Sequence, residues 1–260
     1  MLKFPSNISE ARILISNDDS IHSEGIKVLE EIARAISPNV WVVAPETQQS
    51  AAGHSLTVRM PLRMKVYNER RVSVSGTPTD SVLMGVRKVM KDFRPHIVLS
   101  GINHGPNTAD DVTYSGTVAA AIEATLMGIP SIAFSQDMDE ENGWKPDWAI
   151  AREYLPKILN TFEGKEWEDN VLMNVNFPVK KQGVTPEIRA AWPKERGSNL
   201  WSFSTISFDK PRTVLKSNPC GILIFSIFLK RLTSSNCLWI KPAYLTLISI
   251  WTIAMTWLRR

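Results

Sequence analysis

The sequence predicts an α/β protein built on a mostly parallel sheet with helices on both faces. Residues 12–16 (RILIS) form a short apolar run that enters a polar loop, which is the pattern of a buried parallel strand. Residues 23–36 then carry apolar side chains at helical spacing, and residues 37–39 (SPN) end that helix. Residues 40–43 (VWVV) make a second buried strand. This strand–helix–strand order predicts parallel strands joined by right-handed crossovers.

The later elements follow from the same periodicities and from turn residues. Further strands are predicted at residues 56–66, 72–75, 97–100, 132–134 and 171–175, the last being the final core strand. A further helix is predicted to begin with Thr79 or Asp80 as its cap and to end near residue 91. Another is predicted over residues 117–127, where Gly128 and Pro130 end it. The last predicted helix spans residues 148–159.

The basic charge of the chain is confined to its end. Residues 213–260 contain six Lys and Arg side chains and no Asp or Glu. The other 24 basic and all 26 acidic side chains give residues 1–212 a net charge of −2. Residues 1–212, with this net charge, lack the positive surface that nucleic-acid binding needs, so we expect no nucleic-acid partner.

Three polar loops each follow an apolar strand, at residues 17–20, 44–55 and 101–116. In an open parallel sheet such loops meet at the carboxyl edge, where ligands bind. They offer oxygen ligands and no cysteine, so a hard ion such as Mg²⁺ or Mn²⁺ suits them better than structural zinc. The candidate ligands are Asp18, Asp19, Ser50, Asn103, Asp110 and Asp111.

The two acidic pairs have different interpretations. Adjacent acids in loops are usually solvated, but Asp18 and Asp19 directly follow a buried strand, where their charges repel unless a cation joins them. We therefore interpret them as metal ligands. For Asp110 and Asp111 we favour a role in capping or ordering their loop.

The segment Tyr114-Ser115-Gly116-Thr117 leads directly into the Ala-rich helix. Free backbone N–H groups at the helix start, with the two hydroxyls of Ser115 and Thr117, are suited to receive a phosphate. A plain serine cap is the simpler alternative, and both roles are compatible.

Three of the four histidines, His22, His54 and His104, lie in or beside the loops. Each is a candidate for substrate contact or proton transfer, or is only solvated. The fourth, His96, precedes a strand and is interpreted as structural.

Four motifs in this order, ILISNDDS, VVAPETQQSAAGHSLT, VSGTPTDSV and LSGINHGPNTADDVTYSGTVAAAIEATLMGIPSIAFS, resemble the SurE family of metal-dependent nucleotidases. The resemblance runs from about residue 12 to residue 135, with a weaker echo at residues 172–178. It implies a Rossmann-like domain with a smaller C-terminal extension used to form homodimers or homotetramers. It also implies a 5′-nucleotidase that hydrolyses nucleoside 5′- and 3′-monophosphates, with some activity on short polyphosphate.

The resemblance also implies roles for individual residues. It assigns one divalent ion, Mg²⁺ or Mn²⁺, to Asp18, Asp19, Ser50 and Asn103, and it makes the two acids catalytic. It assigns the phosphate to Asn17, Ser115, Gly116 and Thr117. The nucleophile stays open between a metal-activated water and an Asp carboxylate.

The chain departs from the family pattern in two places. The family usually has glycine where this chain has Ser20, which costs about 1–2 kcal/mol of strain if the position needs a positive φ. We also predict a boundary between a nucleotidase domain, residues 1–212, and an atypical tail, residues 213–260. The tail lacks acids and holds both cysteines, so we interpret it as diverged or translated out of frame.

These departures leave alternatives open. A nucleotide-binding module with weakened catalysis is one. A membrane-tethered phosphatase is another, because residues 243–258 are uncharged, although 16 residues are short of the roughly 20 that a spanning helix needs. The opening residues lack an apolar leader, so we expect a cytoplasmic protein without a membrane partner.

Overall fold

The computed structural model describes residues 1–141, 143–181, 183–192, 204–205, 221–231 and 238–241. Its strands are β1 (Leu2–Lys3), β2 (Ile13–Ser16), β3 (Val40–Pro45), β4 (Met64–Asn68), β5 (Arg71–Val74), β6 (Ile97–His104), β7 (Ser131–Gln136), β8 (Met138–Asp139), β9 (Lys145–Pro146), β10 (Glu166–Trp167), β11 (Val171–Phe177), β12 (Glu187–Trp192), β13 (Ser204–Thr205), β14 (Gly221–Arg231) and β15 (Leu238–Lys241). Its α-helices are α1 (Glu24–Ile36), α2 (Pro78–Met84), α3 (Asp111–Tyr114), α4 (Gly116–Leu126) and α5 (Ala149–Phe162). A 3₁₀ turn spans Ile8–Glu10, and a π-helical turn, Gly85–Val89, continues α2.

One large sheet organises the fold, in the order β13-β12-β14-β11-β7-β6-β2-β3-β5-β4, with β15 beside β14. The stretch from β11 to β5 is parallel throughout, and β4 and β14 pair antiparallel at its two ends. The predicted α/β fold with a mostly parallel sheet is therefore confirmed.

The two faces of the sheet are covered by different helices. Ile13 and Ile15 of β2 point into one core with α1 and α5, whereas Leu14 between them points into the other core, beside α2 and α4. This alternation follows from the two-residue period of a strand. Because both faces of the sheet are buried, the sequences of its central strands are continuous apolar runs.

Several predicted elements are corrected. Residues 56–63 lie outside any strand, because β4 begins only at Met64. The cap of α2 is Thr77, not Thr79 or Asp80, since Pro78 occupies the first helical position. The strand at residues 171–177 is not the last in the sheet, because β14 pairs with it along its other edge.

Strands β14 and β15 come from the segment that the sequence separates as a tail. The predicted boundary near residue 212 and the uncharged run at residues 243–258 lie outside the described residues, and the out-of-frame tail stays a prediction. Within the described part of the chain, no helix combines the length and apolar character needed to cross a membrane.

The packing of α1 against the sheet gives a test of the fold. Leu29 is fully buried in the core between α1 and the sheet, so Leu29→Ala should lower the free energy of unfolding by about 2–5 kcal/mol. Leu126, at the end of α4, is 39% exposed, and Leu126→Ala should cost about 1 kcal/mol or less. Urea unfolding followed by circular dichroism measures both. Equal losses would contradict the assigned buried face of α1.

Candidate active site

Asp18 follows the carboxyl end of β2 and is only 5% exposed. Its Oδ1 accepts a hydrogen bond of 2.5 Å from the Thr117 hydroxyl at the start of α4. Burial raises the pKa of Asp18 from 3.8 to about 6; the Thr117 bond opposes this rise, and the neighbouring charge of Asp19 adds to it. The site therefore holds a carboxylate whose charge the protein solvates poorly.

Gly116 allows α4 to approach Asp18 this closely. A Cβ on Gly116 would stand 2.6 Å from the Asp18 Cβ and 3.0 Å from Cγ of Pro78. Real Cβ atoms do not come this near to other carbons, so any side chain here would push α4 away from β2. Glycine at this position is a requirement of the site's packing.

The start of α4 has the predicted serine cap. The Ser115 Oγ accepts a hydrogen bond of 3.1 Å from the Val118 N–H. Gly116 and Thr117 occupy the first two helical positions, whose N–H groups have no partner within a helix. The Thr117 hydroxyl donates to Asp18, so it is not available as the predicted phosphate donor. The backbone, with its positive helix end, is the part of this segment suited to an anion.

Backbone hydrogen bonds bring the other two loops to Asp18 and Asp19. The Gln49 N–H donates to the Asp18 carbonyl over 2.7 Å, which brings the neighbouring Ser50 to this edge. The His104 N–H lies 3.4 Å from Oδ2 of Asp19, and this contact brings the neighbouring Asn103 to the same edge. The three loops thus converge as the parallel sheet requires.

The side chains of the predicted ligands are partly held by local bonds. The Ser50 Oγ accepts from Gln48 Nε2 over 2.9 Å, and Asn103 Nδ2 donates to the Gly105 carbonyl over 2.9 Å. Asn17 Nδ2 donates to the Ser20 carbonyl and to Ser23 Oγ, whereas its buried Oδ1 has no hydrogen-bond partner within the described structure. A buried carbonyl oxygen without a donor is costly unless a ligand approaches it.

The candidate histidines have different surroundings. His54 Nε2 lies 3.0 Å from Oε2 of Glu123 on α4, so this ring is tied to the protein. His22 and His104 are exposed. His22 bonds Tyr67 Oη over 3.1 Å, and the His104 ring packs 5.3 Å from that of Trp148.

His96 has the structural role that we predicted. Its Nδ1 accepts a hydrogen bond of 3.0 Å from the Arg12 N–H. Partial burial, with the nearby charge of Arg12, lowers the pKa of His96, so the neutral ring needed for this bond is favoured.

The sequence does not identify Asp80 as a site residue, because its motif indicates only a helix cap. The buried Asp80 carboxylate accepts from the N–H and hydroxyl of Thr57 and from the Thr77 N–H, at 2.6–3.1 Å. It thereby fixes the end of the loop that carries Ser50 and His54. The T-x-x-D spacing of a capping box was the available signal.

Ser20 adopts the strained conformation anticipated for it, with φ of 91°. Its carbonyl accepts from Asn17 and from the Ser23 N–H, so the turn is fixed by bonds on both sides. A side chain at this φ carries the steric cost that glycine avoids.

No Lys or Arg forms an ion pair with Asp18 or Asp19 within the described parts of the chain. Two adjacent carboxylates, one of them buried, therefore lack a positive partner among the described side chains. With the Ser50 hydroxyl and the Asn103 amide, the surrounding donors are all oxygens. This donor set fits a hard divalent cation.

Residues 13–197 match the family model described as "Survival protein SurE". The chain belongs to the SurE family. Its relatives include "5′-nucleotidase SurE" of Paramagnetospirillum magneticum, 58% identical over 65% of each chain. The protein of the same name from Parvibaculum lavamentivorans is 47% identical over 75% of this chain and 70% of its own.

A solved SurE protein, from Aquifex aeolicus, has the same fold, with a TM-score of 0.67 and 29% identity over 86% of this chain and 94% of its own. The matched part of this chain spans 65% of the length of the first SurE relative. Residues 13–197, which match the family model, contain all three loops of the candidate site.

The strain at Ser20 predicts that Ser20→Gly stabilises the protein. We expect a gain of about 1 kcal/mol in the free energy of unfolding, because glycine adopts a positive φ without strain but pays more entropy on folding. Ser20→Ala is the matched control, since it removes the hydroxyl and keeps the strain. Urea unfolding in EDTA measures both. A gain from alanine equal to that from glycine would place the cost in the hydroxyl instead.

The raised pKa of Asp18 predicts a pH dependence of the metal-free protein. The folded state binds this proton more tightly than the unfolded state, so the contribution of Asp18 to stability is fully present below pH 3.8 and is lost as the pH rises through about 6. This difference in pKa corresponds to about 3 kcal/mol. Asp18→Asn lacks this term, so its stability relative to the wild type should rise between pH 4 and pH 7.5. Denaturant unfolding in EDTA at both pH values measures the difference, and a constant difference would contradict the prediction.

Proposed function

We propose that this chain is a metal-dependent 5′-nucleotidase, a phosphoric monoester hydrolase that acts on nucleoside 5′- and 3′-monophosphates. One observation carries the proposal. The buried Asp18 and its neighbour Asp19 have no positive partner among the described side chains, beside a helix start that is suited to an anion. A cation and a phosphate together would complement both features.

The proposed cation is a single Mg²⁺ or Mn²⁺ held by Asp18, Asp19, Ser50 and Asn103. When bound, it would polarise a phosphoryl oxygen and neutralise developing negative charge. All four side chains offer oxygen, and the loops that carry them are tied together by the Gln49 and His104 N–H groups. Such a set favours these ions over zinc.

The protein's own groups would orient the substrate. The N–H group of Gly116, at the first position of α4, would bind a phosphoryl oxygen in an oxyanion-type role, whereas the Thr117 N–H already bonds to the Asp18 carboxylate. The buried Oδ1 of Asn17 has no hydrogen-bond donor among the described residues, and a protonated phosphate oxygen can donate to it. Thr117 acts as a positioning residue, because its hydroxyl fixes the orientation of Asp18. Asp19 is the more accessible acid and is the better candidate of the two to contact the reacting group.

The choice of substrate rests on the relatives, which bear the name 5′-nucleotidase SurE. The action on 3′-phosphates rests on the family resemblance of the motifs. The exposed His22 and His104 are proposed substrate contacts at the rim. A contact by His54 would require its bond to Glu123 to change. We also propose a cytoplasmic homodimer or homotetramer, as the resemblance implies.

A nucleotide-binding module with weakened catalysis is the second candidate. The positive φ of Ser20 favours it, because strain next to Asp19 can displace a ligand from its productive position. Such a module would retain the phosphate site at the start of α4 and lose turnover.

The test is release of inorganic phosphate from AMP and 3′-AMP with Mn²⁺ or Mg²⁺, with EDTA as the control. We expect release that EDTA abolishes. Asp19→Asn should lower kcat by about a hundredfold or more, because it removes a charged ligand. Asp169→Asn, an exposed acid paired with the N-terminus, is the matched control and should keep the wild-type rate.

Two outcomes would contradict parts of this proposal. A near wild-type rate for Asp19→Asn would overturn the metal assignment. Binding of AMP by the wild type without phosphate release would favour the second candidate. Equilibrium dialysis with AMP separates that case from loss of the whole site.

A further inference from the structure

A cavity of about 350 Å³ lies at the end of α2 and α4 opposite to the candidate active site. It is lined by Val86, Arg87, Met90, Lys91, Arg94 and Met127. Its volume falls within the range of about 300–1,000 Å³ that is usual for small-molecule sites. None of these residues has a role in the proposed hydrolysis.

Three of the lining residues, Arg87, Lys91 and Arg94, are cations. Arg87 lies in the π-helical turn Gly85–Val89, whereas Lys91 and Arg94 follow it outside any helix, and all three are exposed. Like charges that line one cavity repel each other. An anion bound among them would remove this repulsion.

The intramolecular partners of these cations leave the charge largely uncompensated. Lys91 Nζ lies 3.9 Å from the Asp92 carboxylate, and both side chains are mostly exposed, so this pair is weak. Arg94 donates to the Met127 carbonyl, which carries no formal charge. Within the described structure, Arg87 and Arg94 form no ion pair with a carboxylate.

The rest of the cavity wall is apolar. Val86 and Met90 are buried, and Met127 is half-buried beside them. Methionine sulfur and methyl groups pack well against aromatic rings. A cationic rim over such a floor matches a ligand with a phosphate at one end and a flat ring system at the other.

We propose that Arg87, Lys91 and Arg94 form a second, non-catalytic site for an organic phosphate of mononucleotide size. The phosphate is bound by the three cations, and the base lies against Val86 and Met127. The 11-residue helix α4 separates this site from Gly116 by about 16 Å, so one ligand cannot occupy both. The proposal does not depend on turnover at the first site.

The test is calorimetric titration of AMP in EDTA, which prevents hydrolysis. The wild type should bind AMP in this buffer, and Arg87→Gln/Lys91→Gln should weaken that binding by about tenfold or more, because two charged contacts are lost. Lys3→Gln/Lys27→Gln, which removes two exposed cations elsewhere, should bind as the wild type does. The melting temperature of each variant without ligand verifies folding, and phosphate release with metal at saturating AMP should be the same in all three proteins.

Three outcomes would overturn the proposal. The first is that the wild type does not bind AMP in EDTA. The second is that Arg87→Gln/Lys91→Gln binds AMP as tightly as the wild type. The third is that both double variants weaken AMP binding equally. Titration with inorganic phosphate and with adenosine tests the ligand class. Each should bind more weakly than AMP, and equal affinity for inorganic phosphate would overturn the role of the apolar floor.

Discussion

The buried carboxylate of Asp18 is the constraint on which the arrangement of the site depends. Asp18 is only 5% exposed, and a charge buried to this degree is unfavourable unless donors or a cation approach it. The protein supplies one hydroxyl, from Thr117, and the positive end of α4. Both require α4 to begin within contact distance of β2, and only a residue without a side chain at Gly116 permits that distance. The position of a whole helix thus follows from one acid.

The remaining loops are held around this acid by neutral donors. The Gln49 and His104 N–H groups bond to Asp18 and Asp19, and Asp80 fixes the far end of the second loop through Thr57. Neutral donors orient loops and leave the carboxylate charge in place, whereas a lysine or arginine would neutralise it. The negative potential at Asp18 and Asp19 is therefore retained and can attract a cation.

The sequence predicts the parts of this arrangement that depend on local patterns. Apolar runs ending in polar loops identify the core strands, and the serine cap of α4 follows from its hydroxyl and the helix after it. The contact between Thr117 and Asp18 joins residues 99 positions apart, and no periodicity encodes such a distance. For the same reason the insertion of β14 between β11 and β12 could not be predicted, because strand order is set by non-local pairing.

The two helices that begin at the site also explain why its opposite end carries cations. An α-helix has a negative carboxyl end, and positive side chains there are stabilising over about one turn. This favourable interaction explains Arg94, whose side chain donates a hydrogen bond to the carbonyl of Met127, the C-cap residue of α4. It accounts less well for Arg87, which lies within the π-helical turn, and for Lys91, which forms a loose surface pair with Asp92. Capping therefore explains one of the three charges that line the cavity, and it does not explain the positions of the other two.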